Sequence, residues 1–218
     1  MSQNTSSAVM AQRSEPADSL DDFPTPPWGG RALAEHVLGR VALAGKTVWE
    51  PAVNRGYLKR GLDNYAGRVF GSDIHDYGAG FPVFDFTRPG LFAGPLPSFL
   101  PSPPDWIITN PPFKAAAEFI EQGLAVARVG VAMLLRTQIL EGGSRFDKLY
   151  RPMANRWTFS QFVERIPMVR GRVDPAVSSA TAYGWLTFWK EPQDPAFLLA
   201  RRHIPPCRKA LERPGDYA

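Results

Sequence analysis

Residues 105–136, DWIITNPPFKAAAEFIEQGLAVARVGVAMLLR, constrain the fold more than any other stretch of the chain. Two runs of strand-forming residues, DWIITN and VAMLLR, flank an amphipathic helical pattern, FKAAAEFIEQGLAVARVG, which Gly130 closes. VAMLLR is apolar up to its final Arg, as expected of a strand covered on both faces of a parallel sheet. The alternation extends upstream. The spacing of Leu33, Val37, Val41 and Ala44 predicts a helix over Pro27–Ala44, with Thr25 as its N-cap, Pro26 in its first turn and Gly45 as its stop. KTVWEP is a short strand halted by Pro51. NRGYLKRGLDNYAG reads as a turn and a short helix, RVFGSDI as a second strand ending at Asp73, and FPVFDF as a weak third strand.

The pattern changes after the second apolar strand. SRFDKLYRPM is a short helix ended by Pro152. FSQFVERIP and TAYGWLTFWK are strand-like, and the polar segment between them, MVRGRVDPAVSSA, has no clear helical period. The expected fold class is therefore α/β: a Rossmann-like, doubly wound, mostly parallel sheet with an antiparallel pair at its C-terminal edge. Three segments divide the chain. Residues 1–22 read as a disordered lead, 23–190 as one domain, and 191–218 as a basic, Pro-punctuated tail. Within the domain, residues 87–104 hold six prolines. Such a stretch excludes a helix or a central strand, and we read it as a surface loop carrying Phe92 and Phe99.

Composition removes several function classes. No run approaches the roughly 20 apolar residues of a membrane span, and the N-terminus shows no secretory signal pattern. A single cysteine, Cys207, excludes an internal disulfide or a cysteine-based metal site, and three scattered histidines offer no metal cluster. These features suit a reducing cytoplasm. Charge is divided unevenly. Residues 1–127 hold 10 Lys and Arg against 13 Asp and Glu, and residues 128–218 hold 15 against 8, a net of −3 and of +7. A basic half points to a polyanionic partner, nucleic acid first, or else is an ordinary solvated face.

Ligands of doubly wound sheets bind beyond the carboxyl ends of the strands. Three predicted strands end there in usable polar groups: Glu50, Asp73 and Asn110. Asn110 opens the sequence Asn110-Pro111-Pro112-Phe113. The two prolines fix φ and donate no hydrogen bond, but their carbonyls still accept. An amide oxygen and a rigid carbonyl can thus converge on one NH₂ group, with Phe113 as a flat stacking face. The alternative is a tight strand-to-helix turn with Pro in the first helical turn.

In these residues the chain resembles the class I S-adenosylmethionine-dependent methyltransferases, and among them the enzymes that modify exocyclic amines, chiefly N6 of adenine in DNA. Asn110–Phe113 matches their (N/D/S)PP(Y/F/W) signature. TPPW (Thr25 to Trp28) looks like the motif at the methionine end of the cofactor, and VWEPAVNRGYL like the EPAxGxG cofactor loop. SDI matches the acidic end of the second strand, and Asp85-Phe86 the segment beside the cofactor's adenine. The C-terminal run from LLRTQILEGG to GWLTFW is similar to compact phage and prophage adenine methyltransferases. The resemblance covers roughly residues 23–217. It departs at Asn54, where the family has Gly, and at Met168, where relatives carry an aromatic. Asn is the non-Gly residue best suited to a left-handed conformation.

The resemblance implies S-adenosylmethionine as cofactor, held by Thr25, Glu50, Pro51, Ala52, Asn54, Gly56, Asp73, Ile74, Asp85 and Phe86. Some of these have a second reading. Glu50 either orients the cofactor loop or caps the next helix, and Thr25 either binds the cofactor carboxylate or caps its helix. Asp73 accepts the ribose hydroxyls, with Asp76 as its competitor. Gly56 permits close backbone approach or is an ordinary turn glycine. Phe86 is a core residue or a stacking face, Trp28 and Trp106 are packing residues, and His75 is a surface residue. Asn110, Pro111, Pro112 and Phe113 form the catalytic clamp, and Arg165, Arg170 and Arg172 contact phosphates. The expected partner is DNA with a flipped adenine, without metal or membrane, and specificity would come from the 87–104 loop, residues 136–180 and the tail. Two other readings stand beside it: methylation of adenine in RNA or of a protein glutamine amide through the same clamp, or an inactive nucleic-acid-binding relative.

Overall fold

A computed structural model of the chain describes residues 21–88, 90, 93–177 and 179–218. Its parallel strands are β1 (Thr47–Glu50), β2 (Arg68–Gly71), β3 (Trp106–Thr109) and β4 (Gly130–Arg136). β5 (Trp157–Phe162) and β6 (Tyr183–Trp189) run antiparallel to one another, and β7 (His203–Ile204) pairs in parallel with β5. The seven form one sheet in the order β2-β1-β3-β4-β6-β5-β7. This is the expected α/β sheet, with the antiparallel strand β6 inserted between β4 and β5.

Side-chain alternation on the strands separates two cores. Trp106 and Ile108 of β3 face one side, with Ala132 and Leu134 of β4. α1 (Pro27–Ala32), its π-helical continuation Leu33–Leu38 and α3 (Tyr57–Leu62) cover that side with Trp28, Leu33, Val37, Leu58 and Leu62. Trp28 and Trp106 are fully buried, as packing residues should be. Ile107, Val131, Met133 and Leu135 face the other side, where α4 (Ala116–Val126) supplies Phe119 and Ile120. α1 and α3 cross at Gly61, where a Cβ would lie 2.1 Å from the Pro27 carbonyl oxygen, so no larger residue fits.

Several sequence expectations need correction. The helix predicted over Pro27–Ala44 is interrupted at Gly39, whose φ of 85° breaks the period before α2 (Arg40–Leu43). Val41, expected on the apolar face, is consequently 88% exposed. Gly130 does not close α4, which ends at Val126, but begins β4 opposite Trp189, and it is a glycine there because a Cβ would meet the Phe188 carbonyl oxygen of β6 at 2.2 Å. The predicted third strand reduces to one parallel bridge between Asp73 and Val83. Pro82 and the aromatic packing of Phe84 and Phe86 on Trp49 leave no further ladder. The 87–104 segment is more than a surface loop. Phe99 packs on Trp49 and Phe84, and Leu100 is buried. Phe92 and residues 1–20 of the expected N-terminal lead lie outside the described residues.

The 191–218 segment is folded onto the domain, not a free tail. α5 (Pro195–Ala200), capped by Asp194, leads into β7, and α6 (Arg208–Leu211) follows. Ile204 and Cys207 join the core. Asp216 and Arg31 form a buried two-point ion pair at 2.7 and 2.8 Å, which fixes the segment to α1. Without Asp216, the buried Arg31 charge keeps one neutral acceptor among the described residues, the Leu211 carbonyl at 2.7 Å, and no counter-charge. Asp216→Ala is therefore expected to lower stability by about 3–5 kcal/mol, read as a drop in the urea midpoint. The double replacement Arg31→Met with Asp216→Leu is expected to restore most of the loss.

Candidate active site

β1, β2 and β3 end side by side, so Glu50, Asp73 and Asn110 converge from adjacent strands on one cavity of about 800 Å³ including its mouth. Pro51, Ala52 and Asn54 from the turn after β1 line it, with Ile74, Asp85 and Phe86 beyond β2, Thr25 from the N-terminal approach, and Pro112.

The turn after β1 is built around Asn54, which adopts a left-handed φ of 53°. Its backbone N–H donates to Asp73 Oδ2 at 2.8 Å, while the His75 N–H donates to Oδ1 at 3.1 Å. Asp73 thus ties the turn after β1 to the end of β2 and still has lone pairs for a ligand. Burial raises its pKa, and the N–H groups of Asn54, His75 and Ile74 oppose the rise. Asp76 is exposed and bonded to the Gly78 N–H of its own turn, so it does not compete for the cavity.

Glu50 is 2% exposed, and its Oε2 has no partner among the described residues. Burial first, then the Asp73 carboxylate, pushes its pKa well above the ordinary carboxylate range, against Lys59. The folded state therefore keeps the Glu50 proton to a higher pH than the unfolded chain, whose carboxyl titrates near 4.5. This contribution to stability is complete below that value and is lost as pH rises through the folded pKa. Glu50→Gln keeps the shape and removes the charge. Its melting temperature is expected to match wild type near the unfolded pKa and to exceed it increasingly at higher pH. Thermal melts from about pH 4 to pH 8 check this, and a constant offset would contradict the buried-charge argument.

The remaining cavity residues differ in character. Thr25 does not cap α1, which begins after Pro26; its buried hydroxyl is unpartnered among the described residues. Ile74 is exposed at the mouth and offers an apolar surface. Asp85 lies at the rim and accepts from the N–H and hydroxyl of Thr87. Phe86 is a core residue that also lines the cavity, packed on Trp49 and Phe119 at 5.0 Å between ring centres. Gly56 is outside the cavity lining. It precedes α3 with φ 81°, and the Phe81 ring would meet its Cβ at 2.9 Å, so a turn and a neighbouring ring explain this glycine.

At the end of β3, the Asn110 Nδ2 donates to the Phe23 carbonyl at 2.8 Å. That bond fixes the amide, and its Oδ1 is left buried without a partner among the described residues. Pro111 is buried beneath the turn and outside the cavity lining, whereas Pro112 lines it. Phe113 begins a 3₁₀ turn, Phe113–Ala115, before α4, and its N–H donates to Asp21 Oδ2 at 2.9 Å. The ring lies beside the cavity, not in its lining. One guanidinium, Arg136 at the end of β4, sits over it with Cζ 3.6 Å from the ring centre. Phe23 and Tyr183 flank the ring at 6.0 and 6.3 Å.

Residues 21–23 are the part of the site that sequence reasoning missed. Besides the contacts of Asp21 and Phe23, Asp22 accepts from Asn54 Nδ2 at 2.7 Å, pairs with Arg55 at 3.0 Å, and gives its carbonyl to the Gly171 N–H at 2.8 Å. Arg55 also lies over the Tyr77 ring. Burial, then Asp73 and Asp22, push the Tyr77 phenol up to about 12. Residues 21–23 thus form a strap from the turn after β1 to the Asn110–Phe113 turn, and the Asn54 side chain supplies one of its anchors. The acidic pair Asp21-Asp22 next to TPPW was the available signal. Arg165, Arg170 and Arg172 are all exposed, on the segment following β5, outside the cavity lining; Arg172 pairs with Asp174. Met168 is buried in the core. Among the described residues no group of His, Cys, Asp and Glu could hold a metal, and no helix is long and apolar enough to cross a membrane.

The sheet order is that of the Rossmann-like methyltransferase fold, and solved methyltransferases share it. The methyltransferase subunit of a type I restriction-modification system from Streptococcus thermophilus superimposes with a TM-score of 0.57 at 15% identity, over 90% of this chain and 50% of its own. A protein assigned as an RNA methyltransferase from Pyrococcus horikoshii gives 0.53 at 16% identity, over 84% of this chain and 94% of its own. The chain therefore spans half the length of the first and nearly all of the second. No protein-family model matches the sequence, and no curated protein is similar to it in sequence.

Proposed function

We propose that the protein is an S-adenosylmethionine-dependent methyltransferase that modifies the N6 amine of adenine in DNA. The observation that carries this reading is the Asn110 amide. Its NH₂ is held by the Phe23 carbonyl, so its buried, unpartnered oxygen is the acceptor presented at the strand end. A buried acceptor without a partner is costly unless a ligand donor completes it.

The cavity residues fit the cofactor by donor type. Asp73 and Glu50 offer carboxyl oxygens that can accept from hydroxyl and amine groups, and the Thr25 hydroxyl and Ile74 side chain add a polar and an apolar contact. The bound cofactor supplies an electrophilic methyl group. The protein's own task is to hold an amine whose lone pair is delocalised into its ring. Asn110 Oδ1 accepts one of its N–H bonds, and the Pro111 carbonyl is the second acceptor that the motif implies. Both hydrogen bonds strengthen as the nitrogen becomes tetrahedral, so positioning and electrostatics supply the acceleration. An adenine within a duplex must leave the stack to reach this point.

DNA is favoured over a glutamine side chain by the +7 balance of residues 128–218. The first structural neighbour comes from a restriction-modification system, while the second is assigned to RNA, so RNA is the competing acceptor. The test is incubation of the full chain with tritiated S-adenosylmethionine and, separately, DNA, RNA and protein, followed by digestion and mass spectrometry. N6-methyladenine in DNA is the expected product. Label in RNA adenine or in protein glutamine alone would replace this reading, and label nowhere would end it.

A further inference from the structure

We propose that Arg136 is the phosphate-binding residue of the acceptor site, and that its guanidinium leaves the Phe113 ring when the target nucleotide enters. The inference rests on the nucleic-acid reading above. It starts from where the side chain lies. Arg136 is the last residue of β4, directly across the ladder from Tyr183 of β6. It is half-buried, one strand away from Asn110, with its Cζ 3.6 Å above the Phe113 ring centre. Its Nε donates to the Tyr183 hydroxyl at 3.4 Å. Among the described residues no carboxylate forms an ion pair with it, whereas Arg55, on the turn after β1, has Asp22.

A half-buried cation without a paired anion is an expensive arrangement unless a ligand supplies the charge. Stacking on an aromatic ring recovers only part of that cost. The ring it covers is also a flat face close to the clamp amide, three residues on from Asn110. A guanidinium and a nucleobase are both planar and both stack on such a face, so the two compete for one place. A nucleotide resolves the competition in one step. Its base takes the ring face, and its own phosphate offers the displaced guanidinium a two-point partner. A glutamine amide brings no phosphate and would leave Arg136 unsatisfied. Arg136 is thereby a specificity residue: it favours acceptors that carry an anion one nucleotide-length from the reacting amine.

The experiment uses the full chain with a single-stranded DNA oligonucleotide carrying one adenine, which removes the cost of flipping, and the RNA of the same sequence. Binding is measured by fluorescence anisotropy from about 50 to 200 mM salt for wild type, Arg136→Ala, Arg136→Lys and the exposed control Arg40→Ala on α2. Arg136→Ala is expected to weaken binding about tenfold or more and to reduce the slope of log affinity against log salt by about one. Arg136→Lys should keep the slope, because it keeps the charge, yet turn over more slowly, because an ammonium does not form the planar two-point contact. Arg40→Ala should leave both the affinity and slope near wild type. The melting-temperature rise given by S-adenosylhomocysteine should be the same in all four, which shows that the cofactor side is intact. An unchanged slope and affinity in Arg136→Ala, or an equal loss in Arg40→Ala, would overturn the assignment while leaving the nucleic-acid reading in place. A wild-type protein that binds neither oligonucleotide and labels glutamine would overturn both.

Discussion

Asn110→Ala is expected to reduce methyl transfer by at least about a thousandfold while S-adenosylhomocysteine still binds with near wild-type affinity. The structure separates the two effects. Among the described residues the Asn110 side chain makes one hydrogen bond, from its Nδ2 to the Phe23 carbonyl, and its oxygen, unpartnered among them, is the atom proposed to receive the acceptor amine. The residues proposed to hold the cofactor are anchored elsewhere: Asp73 by the Asn54 and His75 N–H groups, and Glu50 within β1. Loss of an acceptor that strengthens only as the amine becomes tetrahedral falls on kcat, not on KM. Asn110→Asp is the sharper variant. A carboxylate cannot donate to the Phe23 carbonyl, so the strap and the clamp would repel each other. Single-turnover label transfer together with calorimetry checks both claims, and wild-type turnover in Asn110→Ala would remove the clamp from the mechanism.

Asp73→Ala should show the opposite profile. The carboxylate receives two backbone N–H bonds, one of which holds the left-handed Asn54 turn. Its loss removes a charged acceptor from the cavity and loosens the turn that lines it. Charge-assisted hydrogen bonds contribute about 1.5–3 kcal/mol each, so cofactor affinity should fall by about 100-fold or more. Asp73→Asn retains the shape but exchanges an acceptor for a donor against the Asn54 or His75 N–H, and should be nearly as weak. Isothermal titration with S-adenosylhomocysteine is the measurement. Oligonucleotide affinity in the absence of cofactor should change little.

How legible these features were depended on whether local or distant contacts decide them. The parallel strands and their polar ends could be read because each is a short apolar run ended by Pro or a turn. Convergence of Glu50, Asp73 and Asn110 then follows from the sheet order. Gly39 was unreadable as a break because the apolar spacing continues through it to Val41, and the interruption is a backbone event. The third strand had a strand-like composition, yet Trp49 and Phe99 capture its aromatic side chains. Asp21, Asp22 and Phe23 act on residues some 30 to 90 positions away, through bonds to Asn54, Arg55, Asn110 and Phe113. No local pattern encodes such partners. Arg136 was hidden for the same reason: it reads as the polar end of a buried strand, and only the pairing of β4 with β6 beside α4 sets it on Phe113.

The Asn110-Pro111 junction also bears on chemical ageing. Asparagine commonly deamidates when the backbone nitrogen of the next residue attacks the side-chain carbonyl. The nitrogen of Pro111 carries no hydrogen and cannot close that ring. The one amide whose conversion to a carboxylate would disable the clamp is therefore followed by the residue least able to convert it. Asn4, Asn54, Asn64 and Asn155 have no such neighbour, since Thr, Arg, Tyr and Arg follow them. Protein stored for long periods should accumulate negative charge at those four positions first, and a charge variant separated by ion exchange should still carry an intact amide at 110.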